Sequence, residues 1–349
     1  MNLETELLCI GNPLVDVFVN IDNGLALKYG IREPVQHIDR AAAESFLREP
    51  SIDFSKAVKS SGGGAANVAK IAAMLGMNAA FSGCIGQDEL AEIFEKEITE
   101  AGVSAILVRS SEKTGLCFAC GVDGQTRFAA SPGAALELTE ADISEELIGG
   151  AEVVVVDGYI LDRRPLVQHI LKRASRQGIP VALDAASVFQ VKSKAEEILT
   201  YSRNFPLFVF MNADEAIAFF NTIRKSRDED TGLSEKEKEG MILRDVCPML
   251  KIITDGEIFP VIVVKLGGSG AVVVAGGNVY REETFAITPR NTIGAGDAFC
   301  AAFIAAWIRD RSLSECAALG NKVAREILEV PGTHIKSGKL KSFAKILQK

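Results

Sequence analysis

The chain has 349 residues, 48% of them hydrophobic and 24% charged, and its 38 Lys and Arg against 46 Asp and Glu leave a net charge of −8. This ordinary globular composition excludes a disordered chain, a collagen-like repeat and a disulfide mini-scaffold, and the length suits one large α/β core of about 250–300 residues with an appendage. The acidic surplus argues against general affinity for nucleic acid or an anionic membrane, which reward clustered Lys and Arg, so an anionic ligand needs a local site.

The first residues carry Glu4 and Glu6 and no basic stretch, so no secretory signal is read and a cytoplasmic protein is expected. The first apolar strand runs into Gly11-Asn12-Pro13-Leu14-Val15-Asp16, where Asp16 is placed to grip two hydroxyls of a substrate. Leu14 to Asn20 and Thr114 to Ala130, the latter with the turn Asp123-Gly124-Gln125, read as paired strands outside the main sheet, a small β-sheet lid. Between them Ser60-Ser61-Gly62-Gly63-Gly64-Ala65-Ala66-Asn67 is a glycine turn entering a helix over 65–75. Three consecutive glycines point either to close approach of a ligand, with Asn67 offering a donor and an acceptor, or to a flexible loop capped by Ser61. A further helix is predicted over 89–101. Cys117 and Cys120 have the spacing of a redox or zinc half-site, but in a strand residues three apart face opposite ways. Seven cysteines and three scattered histidines suit reduced, buried thiols and no zinc site.

From 152 onwards strands and helices alternate, the pattern of a parallel sheet covered on both faces. Strands are predicted at 152–157, 179–184, 207–212 and 261–265, and helices at 164–177, 192–203, 295–309 and 313–328. Three of these strands end on Asp157, Asp184 and Asn212, at the carboxyl edge where open α/β sheets bind ligands. The charged stretch 224–245 reads as a solvated loop leading into a surface helix. Asn212-Ala213-Asp214-Glu215 is either a capping box or a site for magnesium and phosphate. Lys265-Leu266-Gly267-Gly268-Ser269-Gly270 is a strand-to-turn junction that lets a nucleotide lie against backbone, without the spacing of a P-loop.

The strongest local signal is Asn291-Thr292-Ile293-Gly294-Ala295-Gly296-Asp297, a small-residue turn running into an apolar helix. Its uncovered amides at a helix N-terminus form an anion hole, and Asp297 is positioned to accept a proton from an attacking hydroxyl. The alternative is an Asp serving the helix dipole beside glycines used for packing.

Taken in order along the chain, these motifs resemble the PfkB, or ribokinase-like, family of carbohydrate and nucleoside kinases, and Gly11 to Asp16 is closest to the adenosine-kinase branch. The resemblance implies a ribokinase-like α/β fold: one domain over 1–349, with a predominantly parallel sheet, helices on both faces, and a lid from segments at approximately 13–36 and 110–131. It implies Asp297 as catalytic base with Gly294, Ala295 and Gly296 as anion hole, and Asn12, Asp16, Gly63, Gly64, Asn67 and Asp157 around the acceptor. Asn212, Lys265, Gly267, Gly270 and Asn321 would hold ATP, and Glu215 would serve magnesium, directly or through water. The expected reaction is transfer of the γ-phosphoryl group of ATP to a hydroxymethyl group, with a nucleoside favoured over a sugar, and a catalytically silent binding protein as the non-enzyme alternative. Phe189 or Phe118 is a candidate to stack a nucleobase. Asn291 stands where much of the family has Asp, which leaves potassium activation open, and 185–189 lacks the guanidinium many sugar kinases carry there. The partners expected are small molecules only, no nucleic acid or membrane, with the chain a monomer or a lid-mediated homodimer.

Overall fold

A computed structural model describes residues 5–32, 35–226, 232–256, 260–285, 287, 293–329, 340, 342–344 and 347. Its strands are β1 (Thr5–Ile10), β2 (Leu14–Asn20), β3 (Val35–His37), β4 (Val58–Gly62), β5 (Ala79–Ile85), β6 (Ser104–Arg109), β7 (Gly115–Val122), β8 (Gln125–Ser131), β9 (Ala151–Asp157), β10 (Val181–Asp184), β11 (Leu207–Asn212), β12 (Val261–Lys265), β13 (Ala271–Ala275) and β14 (Asn278–Glu282). Nine of them form one sheet in the order β14-β13-β12-β11-β10-β9-β1-β5-β6, parallel from β12 to β6 and closed at the other edge by the antiparallel β13 and β14.

The unbroken apolar runs are explained by two cores, one on each face. Leu8, Ile10, Val154 and Val156 pack with the helices Arg164–Arg176, Val188–Asn204 and Ala213–Arg224. Their neighbours Leu7, Cys9, Val153 and Val155 pack with Gly64–Met74, Glu89–Glu100, Ala295–Ile308 and Leu313–Leu328. A strand buried on both faces has no polar side to alternate with. The helix Ala295–Ile308 is apolar on all sides because the sheet, helix Gly64–Met74 and helix Leu313–Leu328 surround it. Strand order reverses at β1, with β5 on one side and β9 on the other, and the carboxyl ends of the strands at such a reversal are where open α/β sheets bind ligands.

The second sheet has the order β3-β8-β7-β2-β4. Its hairpin β7–β8 turns on Asp123 and Gly124, both at positive φ (48° and 77°), the geometry of a primed turn. Residues of β4, read from the sequence as a glycine turn alone, form an edge strand paired antiparallel with β2. The run Val58-Lys59-Ser60-Ser61-Gly62 carries too little apolar alternation to announce a strand. One face of this sheet is covered by the helices Asn23–Lys28 and Arg40–Leu47, started by caps from Asp22 and Asp39. Phe118 belongs to that core, fully buried with its ring centroid 4.7 Å from Phe46. It is therefore a packing residue and not a base-stacking one. The charged helix expected after 224 is Glu235–Met241, capped by Ser234, while 227–231 lie outside the described residues.

Candidate active site

The helix Ala295–Ile308 starts from Gly294 in the left-handed conformation (φ 79°, ψ 0°), and a Cβ there would meet none of the described residues within 4 Å. Backbone geometry, rather than crowding, requires glycine at this position. Among the described residues no side chain caps this helix start, at the positive end of the dipole, where the first amides have no partner within the helix. Asp297 stands in the first turn, and its Oδ2 accepts from Asn67 Nδ2 at 3.0 Å, across from the helix Gly64–Met74. Burial pushes its carboxyl up to about 7; Asp184 and Asp157 add to the rise, and Asn67 and Lys265 oppose it. Asn291 lies outside the described residues.

The glycine turn brings together the residues expected around the acceptor. Gly63 has φ 97°, and a Cβ on it would lie 2.2 Å from the Asn12 carbonyl oxygen. A Cβ on Gly64 would sit 3.7 Å from Asp297 Oδ1 and 3.8 Å from Asp157 Oδ2, so this glycine marks the gap between two carboxylates. Asp157 ends β9, accepts from Tyr159 N at 3.0 Å, and is raised by burial to about 6. Asp16 belongs to β2 of the second sheet, in register with Ser60 and Cys117, and packs against Gly62. Burial raises it to about 7, with Lys70 lowering and Glu97 raising it. Ser61 does not cap the helix; the cap is Gly63, and the Ser61 hydroxyl accepts from Lys70. Asn12 Oδ1 accepts from Arg163 Nη2 at 2.5 Å, and Arg163 also donates to the Ala135 carbonyl.

At the other end, Lys265 Nζ donates to Asp184 Oδ2 at 2.9 Å, and a Cβ on Gly296 would lie 3.2 Å from that ammonium. Burial works against the charge on Lys265, yet Asp184 and Glu215 together hold it above the ordinary lysine range. Asn212 and Glu215 form the capping box: Glu215 Oε2 accepts from Asn212 N at 2.8 Å, Oε1 from Asn212 Nδ2 at 2.7 Å, and Glu215 N donates to Asn212 Oδ1 at 2.9 Å. Burial pushes the Glu215 carboxyl up, and Asp184 adds to it. Gly270 (φ 96°) and Asn321 meet at the Glu282 carbonyl: a Cβ on Gly270 would be 2.1 Å from that oxygen, and Asn321 Nδ2 donates to it at 3.2 Å. Close approach to β14 thus accounts for that glycine, while Gly267 (φ 57°) sits at the solvent-facing turn.

Lys70, Glu97 and Arg163 are not among the site residues expected from the sequence. Lys70 lies three residues after Asn67 on the same helical face, a signal that spacing supplies. Nothing local marks Glu97 or Arg163, whose partners are 36 and 151 residues away. Among the described residues no group of three or more His, Cys, Asp or Glu side chains is arranged to hold a metal, and no helix is long and apolar enough to cross a membrane.

A family model described as pfkB family carbohydrate kinase matches residues 28–339. The chain belongs to that family. It is 25% identical to an adenosine kinase of Schizophyllum commune over 95% of this chain and 97% of that protein. It is 24% identical to a 5-dehydro-2-deoxygluconokinase of Bacillus subtilis (strain 168), over 79% of this chain and 82% of that one. The crystal structure of adenosine kinase from Sinorhizobium meliloti superposes with a TM-score of 0.81 at 25% identity, covering 98% and 99% of the two chains. The pfkB kinase is thus a phosphotransferase of ribokinase-like fold, and its likeness to adenosine kinases supports that branch.

Proposed function

We propose that this kinase transfers the γ-phosphoryl group of ATP to the hydroxymethyl oxygen of a ribonucleoside, adenosine foremost. The observation that carries the reading is the meeting of Asp297, Asn67 and Asp157 around Gly64 at a helix N-terminus that no described side chain caps. Asp16, Asp157, Asn12 and Asn67 orient the acceptor from the two sheets. Asp297, with its proton affinity near neutrality, takes the hydroxyl proton, since general bases work best when their pKa lies near the working pH. The amides following Gly294 receive the charge of the migrating group in a fixed geometry, which needs no reorganisation as charge develops.

Asn212, Lys265, Gly267, Gly270 and Asn321 line the nucleotide side. The acidic donors on that side fit a magnesium ion carried in with the triphosphate: Glu215, with both oxygens bonded to Asn212, would reach it through water. Bound there, the ion supplies neutralisation of phosphate charge. The second sheet closes over the acceptor as a lid and excludes water as a competing acceptor.

An aromatic base is favoured by the pair His37 and Tyr159, one from each sheet region, with ring centroids 5.4 Å apart in an edge-on arrangement. Phe189 is the other candidate, 71% exposed at the start of its helix. The helices Asn23–Lys28 and Arg40–Leu47 occupy the outer lid face, which favours a monomer over a lid-mediated pair. A sugar acceptor is the second reading, carried by the similarity to a sugar kinase. ADP release measured across adenosine, inosine, ribose, fructose and ketodeoxygluconate decides between them. Adenosine is expected to exceed every free sugar by at least about tenfold in kcat/KM, the discrimination a few lost contacts produce. Preference for a free sugar overturns the nucleoside assignment, and no acceptor-dependent ADP release overturns both.

A further inference from the structure

Strand β4 is an outer strand of the second sheet, paired with β2 along one edge. Backbone groups on the open edge of such a strand need partners from elsewhere. At Ser61 both are met by charged side chains of the main layer. Glu97, on the helix Glu89–Glu100, accepts at Oε2 from Ser61 N at 2.6 Å and from the Ser60 hydroxyl at 3.1 Å. Lys70, on the helix Gly64–Met74, donates from Nζ to the Ser61 carbonyl at 2.5 Å and to its hydroxyl at 3.0 Å. An anion on the N–H and a cation on the C=O of one residue replace a missing strand with charge-assisted bonds, which are shorter and stronger than neutral ones.

The position of this arrangement matters more than its strength. Ser61 lies opposite Val15 and Ser60 opposite Asp16, so whatever fixes β4 fixes the strand that carries Asp16. The two gripping helices are those of the main layer, and one of them also carries Asn67, the partner of Asp297. We propose that Lys70 and Glu97 are positioning residues, a cation-and-anion clamp that registers the lid edge on the main layer and so sets the place and charge of the Asp16 carboxylate. The proposal rests on the reading of Asp16 as an acceptor-binding group.

The groups facing Asp16 are Lys70 and Glu97 from the two helices, the Ser60 hydroxyl from β4 and the Cys117 thiol from β7. Burial drives that thiol well above its ordinary range, so it stays neutral. The charge state of Asp16, near 7 through burial, is therefore balanced by one cation that favours its ionised form and one anion that opposes it.

Two measurements on the full chain test this. The first is hydrogen exchange at the backbone amides of 60–62 without ligand, in Lys70→Met and Glu97→Gln. Protection of Ser61 is expected to fall by about tenfold in at least one variant, as a lost charged hydrogen bond implies; native protection in both overturns the clamp. The second is adenosine Kd against pH by calorimetry in an Asp297→Asn background, which removes the titration of the base. Relative to that parent, the acid limb is expected to move up by about one pH unit in Lys70→Met, to return in Lys70→Arg, and to move down in Glu97→Gln. Limbs that move in the same direction, or stay in place, overturn the electrostatic part. A parent that binds no adenosine contradicts the nucleoside assignment, while the exchange measurement still decides the clamp. If Lys70→Met does not fold, Lys70→Arg and Glu97→Gln still give exchange and limb positions of opposite expectation.

Discussion

At the end of the site proposed for the acceptor, Asp16, Asp157 and Asp297 sit within the protein, and among the described residues none is hydrogen-bonded to a Lys or Arg side chain; at the end proposed for the nucleotide, Asp184 is bonded to Lys265 and Glu215 to Asn212. The first three carboxyls are raised by burial into the range of about 6 to 7. At the second end, the charge on Asp184 is matched by an ammonium held above its ordinary range. One residue type therefore has two uses. Where no cation is hydrogen-bonded to it, a buried carboxyl stays open to a proton and to hydroxyl donors, although Lys70 and Lys265 act on Asp16 and Asp297 from a distance. Where a cation bonds to it or it closes a capping box, it becomes part of the frame, even though burial raises Glu215 as well.

The comparison breaks most sharply at Asp297. Asp297→Asn is expected to lower kcat by about 10²–10⁴-fold with nucleotide affinity retained, read from ADP release and a nucleotide titration. A variant with near-native turnover would falsify its role as base. Asp16→Asn should raise the acceptor KM by about 10–100-fold, the loss of about 1.5–3 kcal/mol from hydrogen bonds to a charged group, while KM for ATP stays put. Equal changes in both KM values would place Asp16 in the frame.

Stability against pH sharpens the comparison further. The carboxyl of Asp297 is raised from 3.8 to about 7, so between those values the unfolded chain ionises it and the folded chain does not. Its contribution is present below 3.8, falls as pH rises, and is fully lost above about 7. The melting temperature of Asp297→Asn should accordingly exceed that of the native protein by a few degrees at pH 8 and match it near pH 4; a native-like value at both would mean the carboxyl costs the fold nothing. The smallest effect belongs to the framed end. Glu215→Gln should cost about 1 kcal/mol of stability as a weakened cap and lower kcat/KM for ATP less than about tenfold. A much larger kinetic loss would move Glu215 from the cap to the phosphates.

The sheet was legible in its buried strands because Val153 to Val156 and Val261 to Val264 are packed on both faces and so are written as apolar runs. The edge strands β3 and β4 were not, since one is three residues long and the other is mostly polar. Among the candidate site residues, Gly63 and Gly270 were read as places where a ligand comes close to backbone and Gly294 as part of a turn with uncovered amides; all three have positive φ, and what approaches Gly63 and Gly270 is the chain itself, at the Asn12 and Glu282 carbonyls. Phe118, an aromatic in an apolar run, reads more readily as a core ring than as a base-stacking one, and Phe46 of the helix Arg40–Leu47 packs against it.

By itself the sequence determined what depends on neighbours in the chain: the periodicity of helices and buried strands, the glycine turns, and the capping box at Asn212. Tertiary structure alone decided which charges answer one another, because Asn67 meets Asp297 across 230 residues and Lys265 meets Asp184 across 81. A carboxylate's use is set by the burial and the partner it finds, and both exist only once distant segments have packed.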